Sequence, residues 1–310
     1  MSKSKDSGHF GDAKLDTLHD IQKNTTEGGA CLTGHSADFK DFKNKVSCNY
    51  RYQGHEQADS NGDIKSRLHS YNDNLPERRI ETSAYQAKKG GMTPDRYCAH
   101  LAIPEPGDWD VRGPLKSVRR RTFDKSKVRI PAGYNFTQDT WPYWNNAHHL
   151  IPKGTLEKKI LEQEYKVSNI MQKALLKAKY NVNHKRNMLM IPQDREVAAL
   201  LNLPRHIQLK DDDAPSLAAS CTDHPIYSAM VKEVEMGLNK IIDDYKSICD
   251  GAKPKPGEEH EIPDVDLDKS KLEDLSELLL QMHLNWGKPG GTGPSLDKKA
   301  TQVLKKIGRL

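Results

Sequence analysis

Two short apolar runs, each shut by a proline, set the tightest limit on how this chain can fold. Leu150-Ile151-Pro152 follows a pair of histidines, His148 and His149, and Met188-Leu189-Met190-Ile191-Pro192 follows Asn187. Proline has no N–H to give to a sheet ladder, so each run reads as a short strand that stops near its proline. Elsewhere apolar residues recur at helical spacing. Leu156, Ile160, Val167, Met171, Ala174 and Ala178 predict one helix over 155–179. A stripe from Ile226 through Met230, Leu238, Ile241 and Tyr245 to Ile248 predicts a longer one, with Thr222 or Asp223 as its cap and Pro225 in its first turn. A helix is also expected over 270–286, and a shorter one over 37–46 from Phe39, Phe42 and Val46. The last segment places Leu296, Ala300, Val303, Leu304 and Ile307 on one face with lysines opposite, a basic amphipathic helix expected to dock on its own domain or on a partner. The sum is an α+β chain, largely helical, with a small strand pair embedded in it.

Composition narrows the class. Of 310 residues, 35% are hydrophobic and 29% charged, enough to bury a core but not along the whole length. Three divisions follow from the texture: a polar N-terminal region over 1–110, read from its position as delivery or loading material; a central domain over 111–250; and a linker with C-terminal helices over 251–310. No run approaches the ~18 apolar residues of a membrane span. The opening MSKSKDSGHFGDAKLD lacks the apolar core of a secretory signal, so synthesis in the cytoplasm is expected. The five cysteines are widely spaced and include no CxxC, so neither a zinc ribbon nor a disulfide scaffold is suggested. Cys31 with His35 and Cys98 with His100 form a looser zinc-type set, against which isolated thiols are the default. Asp211-Asp212-Asp213 reads as a solvated loop before it reads as a cation site.

The net charge of +5 says little by itself, but its distribution says more. Residues 112–129 hold eight basic residues, Arg119, Arg120 and Arg121 among them, against the single acid Asp124. Such a run is either a solvated loop or a surface that tracks a phosphate backbone, where each neutralised phosphate adds salt-dependent affinity.

The chemistry-bearing residues come in a fixed order: a strand with His148-His149, a strand preceded by Asn187, then His206, then His224 where a helix opens. That order suits one-metal phosphodiester hydrolysis. A divalent cation held by neutral imidazoles acts as a Lewis acid on a phosphate. A further, unligated imidazole takes a proton from the attacking water at neutral pH, and a nearby Asn carbonyl fixes its tautomer. Adjacent strand positions point to opposite faces, so His148 and His149 serve one site only where the strand bends or ends, or where ligand and base act from different sides.

Ala147-His148-His149-Leu150-Ile151-Pro152, Asn187 with Leu189-Met190-Ile191-Pro192, Leu203-Pro204-Arg205-His206 and His224-Pro225-Ile226-Tyr227 together resemble the AHH family of HNH/endonuclease VII nucleases, the ββα-metal or His-Me finger enzymes. The resemblance covers about residues 141–245 and departs from the family at Met188, where Gly is usual, and in the 17 residues between His206 and His224. It implies a ββα-metal finger core, His148 as metal ligand, His149 as general base, Asn187 orienting that base, and His224 and His206 as further ligands of one divalent ion, Mg, Mn or Zn. His184 is a spare candidate. It also implies a DNase of the toxin type, such as a type VI secretion effector, with a cognate immunity protein and delivery by a secretion apparatus. An RNase on the same scaffold stays open, as does a different class altogether: a non-catalytic nucleic-acid or partner-binding protein with a structural zinc.

Overall fold

A computed structural model describes residues 13–25, 27–33, 45–64, 67, 118–121, 127–130, 145–192, 195–206, 224–254, 261–287 and 293–310. The expected helix over 37–46 falls almost wholly outside these residues, as do His35, Cys98, His100 and Asp211-Asp212-Asp213. The chain is mixed, mostly helical, with small two-stranded sheets. Among the described residues no helix is long and apolar enough to cross a membrane.

Two compact units form. The first draws on Met1–Gln53, His149–Asn187 and Val231–Glu277; the second on Gly54–His148, Met188–Met230 and Leu278–Leu310. Each therefore takes residues from all three divisions read along the sequence.

In the first unit, α1 (Ala13–Asp16) precedes a loop region tied by isolated bridges, and α2 (Tyr50–Ser60) starts at its end. The helix expected over 155–179 is two helices, α3 (Lys153–Leu161) and α4 (Tyr165–Lys177). The reason lies in the stripe. Leu156 and Ile160 are buried, but the next positions on that face are Gln163 and Glu164, so nothing apolar carries the helix across. The long helix expected through Ile248 is also broken, into α6 (Pro225–Glu233) and α7 (Leu238–Gly251). Gly237 makes the break: it is extended, with φ −72° and ψ 169°, and a β-carbon there would lie 2.6 Å from the Val234 carbonyl oxygen. α7, which buries Leu238, Ile241, Ile242 and Tyr245, packs on α4, which buries Val167, Ile170, Met171 and Ala174.

The second unit holds two sheets. β1 (Val118–Arg121) and β2 (Lys127–Ile130) pair antiparallel, Arg119 with Arg129 and Arg121 with Lys127, so the described part of the basic run lies on paired strands. β3 (Asn145–His149) pairs with β4 (Met188–Pro192). Every residue of β4 is buried, which is why it reads as a continuous apolar run without alternation. α5 (Arg195–Leu200) follows β4, and α8 (Ser270–Trp286) and α9 (Leu296–Lys306) occur where the periodicity places them. Ser295 caps α9, and Leu296, Ala300 and Leu304 are buried: the terminal helix docks on its own unit. Asp297 Oδ1 accepts the Tyr227 N–H at 2.9 Å, fixing the start of α6 through one of its otherwise orphaned donors.

Candidate metal centre

In the second unit, three histidines far apart in sequence meet. β3 carries His148 into the core beside Ala147. His206 follows α5 on a segment held at both ends: its N–H donates to the Pro192 carbonyl at the end of β4 (2.9 Å), and the preceding Arg205 pairs with Ser295 in a parallel bridge. The Arg205 side chain, 1% exposed, donates Nε–H to the Gly293 carbonyl at 2.7 Å. His224 sits at the mouth of α6, where its carbonyl accepts the Ser228 N–H at 3.0 Å. Ring centroids are 4.8 Å apart for His148 and His224, 5.0 Å for His206 and His224, and 5.3 Å for His148 and His206. One nitrogen from each ring lies within 4.8 Å of the others. The 17-residue spacing between His206 and His224 does not keep them apart.

A fourth imidazole stands beside them. His283 on α8 has its ring 5.4 Å from that of His148. Its Nδ1–H donates to the Leu279 carbonyl one turn back (2.6 Å), which leaves the lone pair on Nε2. That Nε2 is buried and has no hydrogen-bond partner among the described residues. Burial pushes the His283 pKa down to about 4, against the Leu279 carbonyl, which pulls the other way, while the neighbouring His224 lowers it further. The ring is neutral at pH 7. Tyr227, fully buried with its ring 5.0 Å from His148, has its phenol pushed well up by burial and stays protonated.

This donor set fits a divalent cation. Two buried imidazoles and one half-buried one converge their nitrogens, and three imidazole nitrogens are one of the ligand sets of catalytic zinc sites. An orphaned Nε2 on His283 is a further donor.

In the first unit, His149 is placed by different neighbours. β3 runs through both His148 and His149, so their side chains leave the strand on opposite faces. His149 Nε2 lies 2.9 Å from Asn183 Oδ1. Asn183 is fully buried, and its Nδ2 donates to the Thr33 carbonyl (3.1 Å) and to Cys31 Sγ (3.3 Å). A carbonyl only accepts, so the amide is fixed with Oδ1 towards His149. Nε2 then carries the proton and Nδ1 the lone pair, the state a general base needs. The ring centroid is 5.7 Å from that of Tyr50.

Asn187 does not take the part assigned to it. Its Oδ1 accepts the Ile151 N–H (2.7 Å) and the Ser276 hydroxyl (3.0 Å), and its Nδ2 donates to the Ile151 and Val182 carbonyls (3.2 and 2.8 Å). With Leu150 N–H on the Asn187 carbonyl at 2.9 Å, it clamps the backbone after His149 and leaves the ring to Asn183. His184, the spare candidate, faces Glu27 Oε2 at 3.3 Å, in a group where Lys185 Nζ lies 2.5 Å from Glu27 Oε1. Burial lowers the His184 pKa, and the hydrogen bond from Lys185 is the main cause that holds Glu27 below its ordinary value. His184 belongs to that ionic group and is not in the metal cluster. Arg119, Arg120 and Arg121 lie on β1, paired as above.

Sequence reasoning missed His283, which sits in a Leu-rich helix face where only the apolar period was read. It also missed Asn183, hidden among Asn181, Asn183 and Asn187. Compared with protein-family models, with curated proteins and with solved structures, the chain matches none.

Proposed function

We propose that this chain is a metal-dependent endonuclease that hydrolyses phosphodiester bonds of DNA, on a ββα-metal type of core made of β3, β4 and α6. The observation that carries the reading is the convergence of His148, His206 and His224 from three separate stretches of chain. A bound divalent ion (Mg, Mn or Zn) would polarise the phosphate and offset charge on the leaving oxygen, a contribution of several kcal/mol. His148, His206 and His224 would hold it as neutral donors. His149 would be the base only with ligand and base acting from opposite sides of β3, while Asn183 accepts its Nε2–H. Such assistance is worth roughly 10²–10⁴ in rate. Asn187 acts only by setting the backbone at residues 150–151. Pairing of cationic residues across β1 and β2 supports a role there in phosphate binding. The antibacterial part of the proposal, an effector carried by a secretion apparatus and neutralised by an immunity protein, rests on the AHH resemblance alone.

Plasmid nicking with Mg²⁺, Mn²⁺ or Zn²⁺ tests the reading. Wild type should cleave, and His148→Ala, His224→Ala and His149→Ala should each lose activity. Cleavage undiminished in His149→Ala removes it as the base. Parallel single-stranded RNA and DNA substrates separate an RNase from a DNase.

One observation favours a second reading, a structural zinc in a binding protein. His283 Nε2 is an orphaned donor on a ring 5.4 Å from that of His148, outside the group of three nitrogens, and drawn in by an ion as a fourth protein donor it would close the coordination shell. X-ray absorption at the zinc edge showing four imidazoles and no oxygen, with no cleavage in any metal, would establish it.

A further inference from the structure

A second group of metal-ligating side chains lies in the first unit. His19, Cys31 and Cys48 each present one donor atom, and the three atoms lie within 4.8 Å of one another. His19 Nε2 is 3.6 Å from Cys48 Sγ. Around a tetrahedral zinc, with Zn–S about 2.3 Å and Zn–N about 2.0–2.1 Å, the S···N edge is about 3.5 Å. That pair already has the spacing a shared ion imposes. We propose that His19, Cys31 and Cys48 bind a zinc ion that staples the N-terminal loops of this unit.

The backbone brings the three ligands together from three loops. A bridge between Asp20 and Ala30 adjoins His19, one between Cys31 and Asn181 holds Cys31 itself, and one between Lys23 and Val46 ends two residues before Cys48. Among the described residues 13–25, 27–33 and 45–49 the only regular element is the four-residue α1. Chain with so few internal ladder bonds gains most from a crosslink, because binding free energy becomes folding free energy.

The chemistry of the donors agrees. Cys31 and Cys48 are fully buried and not in a disulfide, and His19 is half-buried, which leaves an edge through which an ion exchanges. Two sulfurs and one imidazole form a soft set that selects zinc over magnesium or manganese. Outer partners are in place: Asn183 Nδ2–H on Cys31 Sγ at 3.3 Å, and Ser47 Oγ 3.7 Å from Cys48 Sγ. Such donors support a thiolate and orient it. Burial keeps Cys31 a thiol when no cation is bound, its proton directed to the Thr33 carbonyl 3.0 Å away. Zinc uptake releases the two thiol protons to solvent and forms two Zn–S bonds and one Zn–N bond, so binding weakens as pH falls. Among the described residues the set offers three protein donors to a tetrahedral ion.

Full-length protein purified under reducing conditions tests this without reference to nuclease activity. Metal analysis should find zinc, with one equivalent lost in Cys48→Ser and in His19→Ala but kept in His148→Ala. Wild type reloaded with Co²⁺ should show a near-ultraviolet thiolate-to-cobalt charge-transfer band, which an all-histidine centre cannot give. Should the variants fail to fold, wild type alone decides: titrating its thiols with a mercurial should release zinc in step with the modification of two cysteines. A Co²⁺ spectrum with no thiolate band, zinc release independent of thiol modification, or a Cys31–Cys48 disulfide in metal-free protein would each overturn the proposal. Loss of plasmid cleavage in His148→Ala with the thiolate band intact would separate this site from the histidine centre.

Discussion

Replacing Asn187 by alanine separates a structural clamp from a catalytic orienter. Asn187 is 2% exposed and its side chain makes four hydrogen bonds, to Ile151 N–H, Ile151 C=O, Val182 C=O and the Ser276 hydroxyl. Ser276 keeps a second partner, the Leu272 carbonyl at 3.0 Å, so its loss is small. The Ile151 N–H and the two carbonyls are left buried without that amide. An orphaned buried donor or acceptor costs about 1–3 kcal/mol, and carbonyls with a second lone pair sit at the low end, so a total near ~3 kcal/mol is expected. At roughly 2–4 °C per kcal/mol for a chain of this size, the apparent melting midpoint falls by roughly 6–12 °C. Asn187→Asp should be at least as damaging, because a carboxylate oxygen would face the Ile151 and Val182 carbonyls in place of an N–H. Thermal unfolding followed by far-ultraviolet circular dichroism measures both. A midpoint within about 1 °C of wild type, which is under about 0.5 kcal/mol, together with loss of cleavage would refute the clamp and return the amide to the His149 ring.

Other perturbations read other parts of the fold. Gly237→Ala forces a β-carbon to within 2.6 Å of the Val234 carbonyl oxygen and 2.7 Å of that of Lys232. The backbone must give, and a loss of about 1–3 kcal/mol is expected in urea unfolding, whereas an unchanged midpoint would mean the α6–α7 break is soft. His283 is held near pKa 4 in the folded state against 6.5 for the free group. The unfolded chain therefore binds the extra proton first: the stability is whole above pH 6.5 and drains as pH falls towards 4, by about 3 kcal/mol in all. His283→Leu should flatten unfolding free energy across that window, and an unaltered pH slope would contradict the buried neutral ring. Arg119→Ala/Arg120→Ala/Arg121→Ala should weaken DNA binding and reduce the salt slope by about 0.9 for each phosphate no longer neutralised. A slope equal to wild type in fluorescence anisotropy would remove the strand pair from the interface.

Much of the secondary structure was legible from period and punctuation, because burial of one face is a local property. Pro192 closes β4, whereas β3 already ends at His149 and the Leu150-Ile151 run lies beyond it; the 270–286 and terminal helices carry unbroken stripes. The two helix breaks were not read. One depends on Gln163 and Glu164 interrupting a face, the other on a close approach that only Gly237 permits, and neither leaves a periodic trace. At the centre, His148, His206 and His224 could be named as a set because the AHH resemblance assigns them together, and the fold brings their rings to one place. His283 could not, because its meaning depends on which helix face turns to those rings. The exchange of Asn187 for Asn183 has the same origin: the two lie in one short stretch, and only the Thr33 carbonyl and Cys31 thiol, some 150 residues away in sequence, decide which amide meets His149. Likewise Cys31 finds Cys48 and His19 through loop bridges that no spacing rule encodes.

Calorimetric titration of divalent metal, zinc and manganese in turn, into full-length Cys48→Ser protein measures the histidine centre without the thiolate group. One ion per chain is expected, and His148→Ala, His206→Ala and His224→Ala should each weaken it by more than the roughly 10–100-fold that loss of an outer partner brings. Equal affinity in wild-type and substituted chains would contradict a shared ion and leave the three rings as packing.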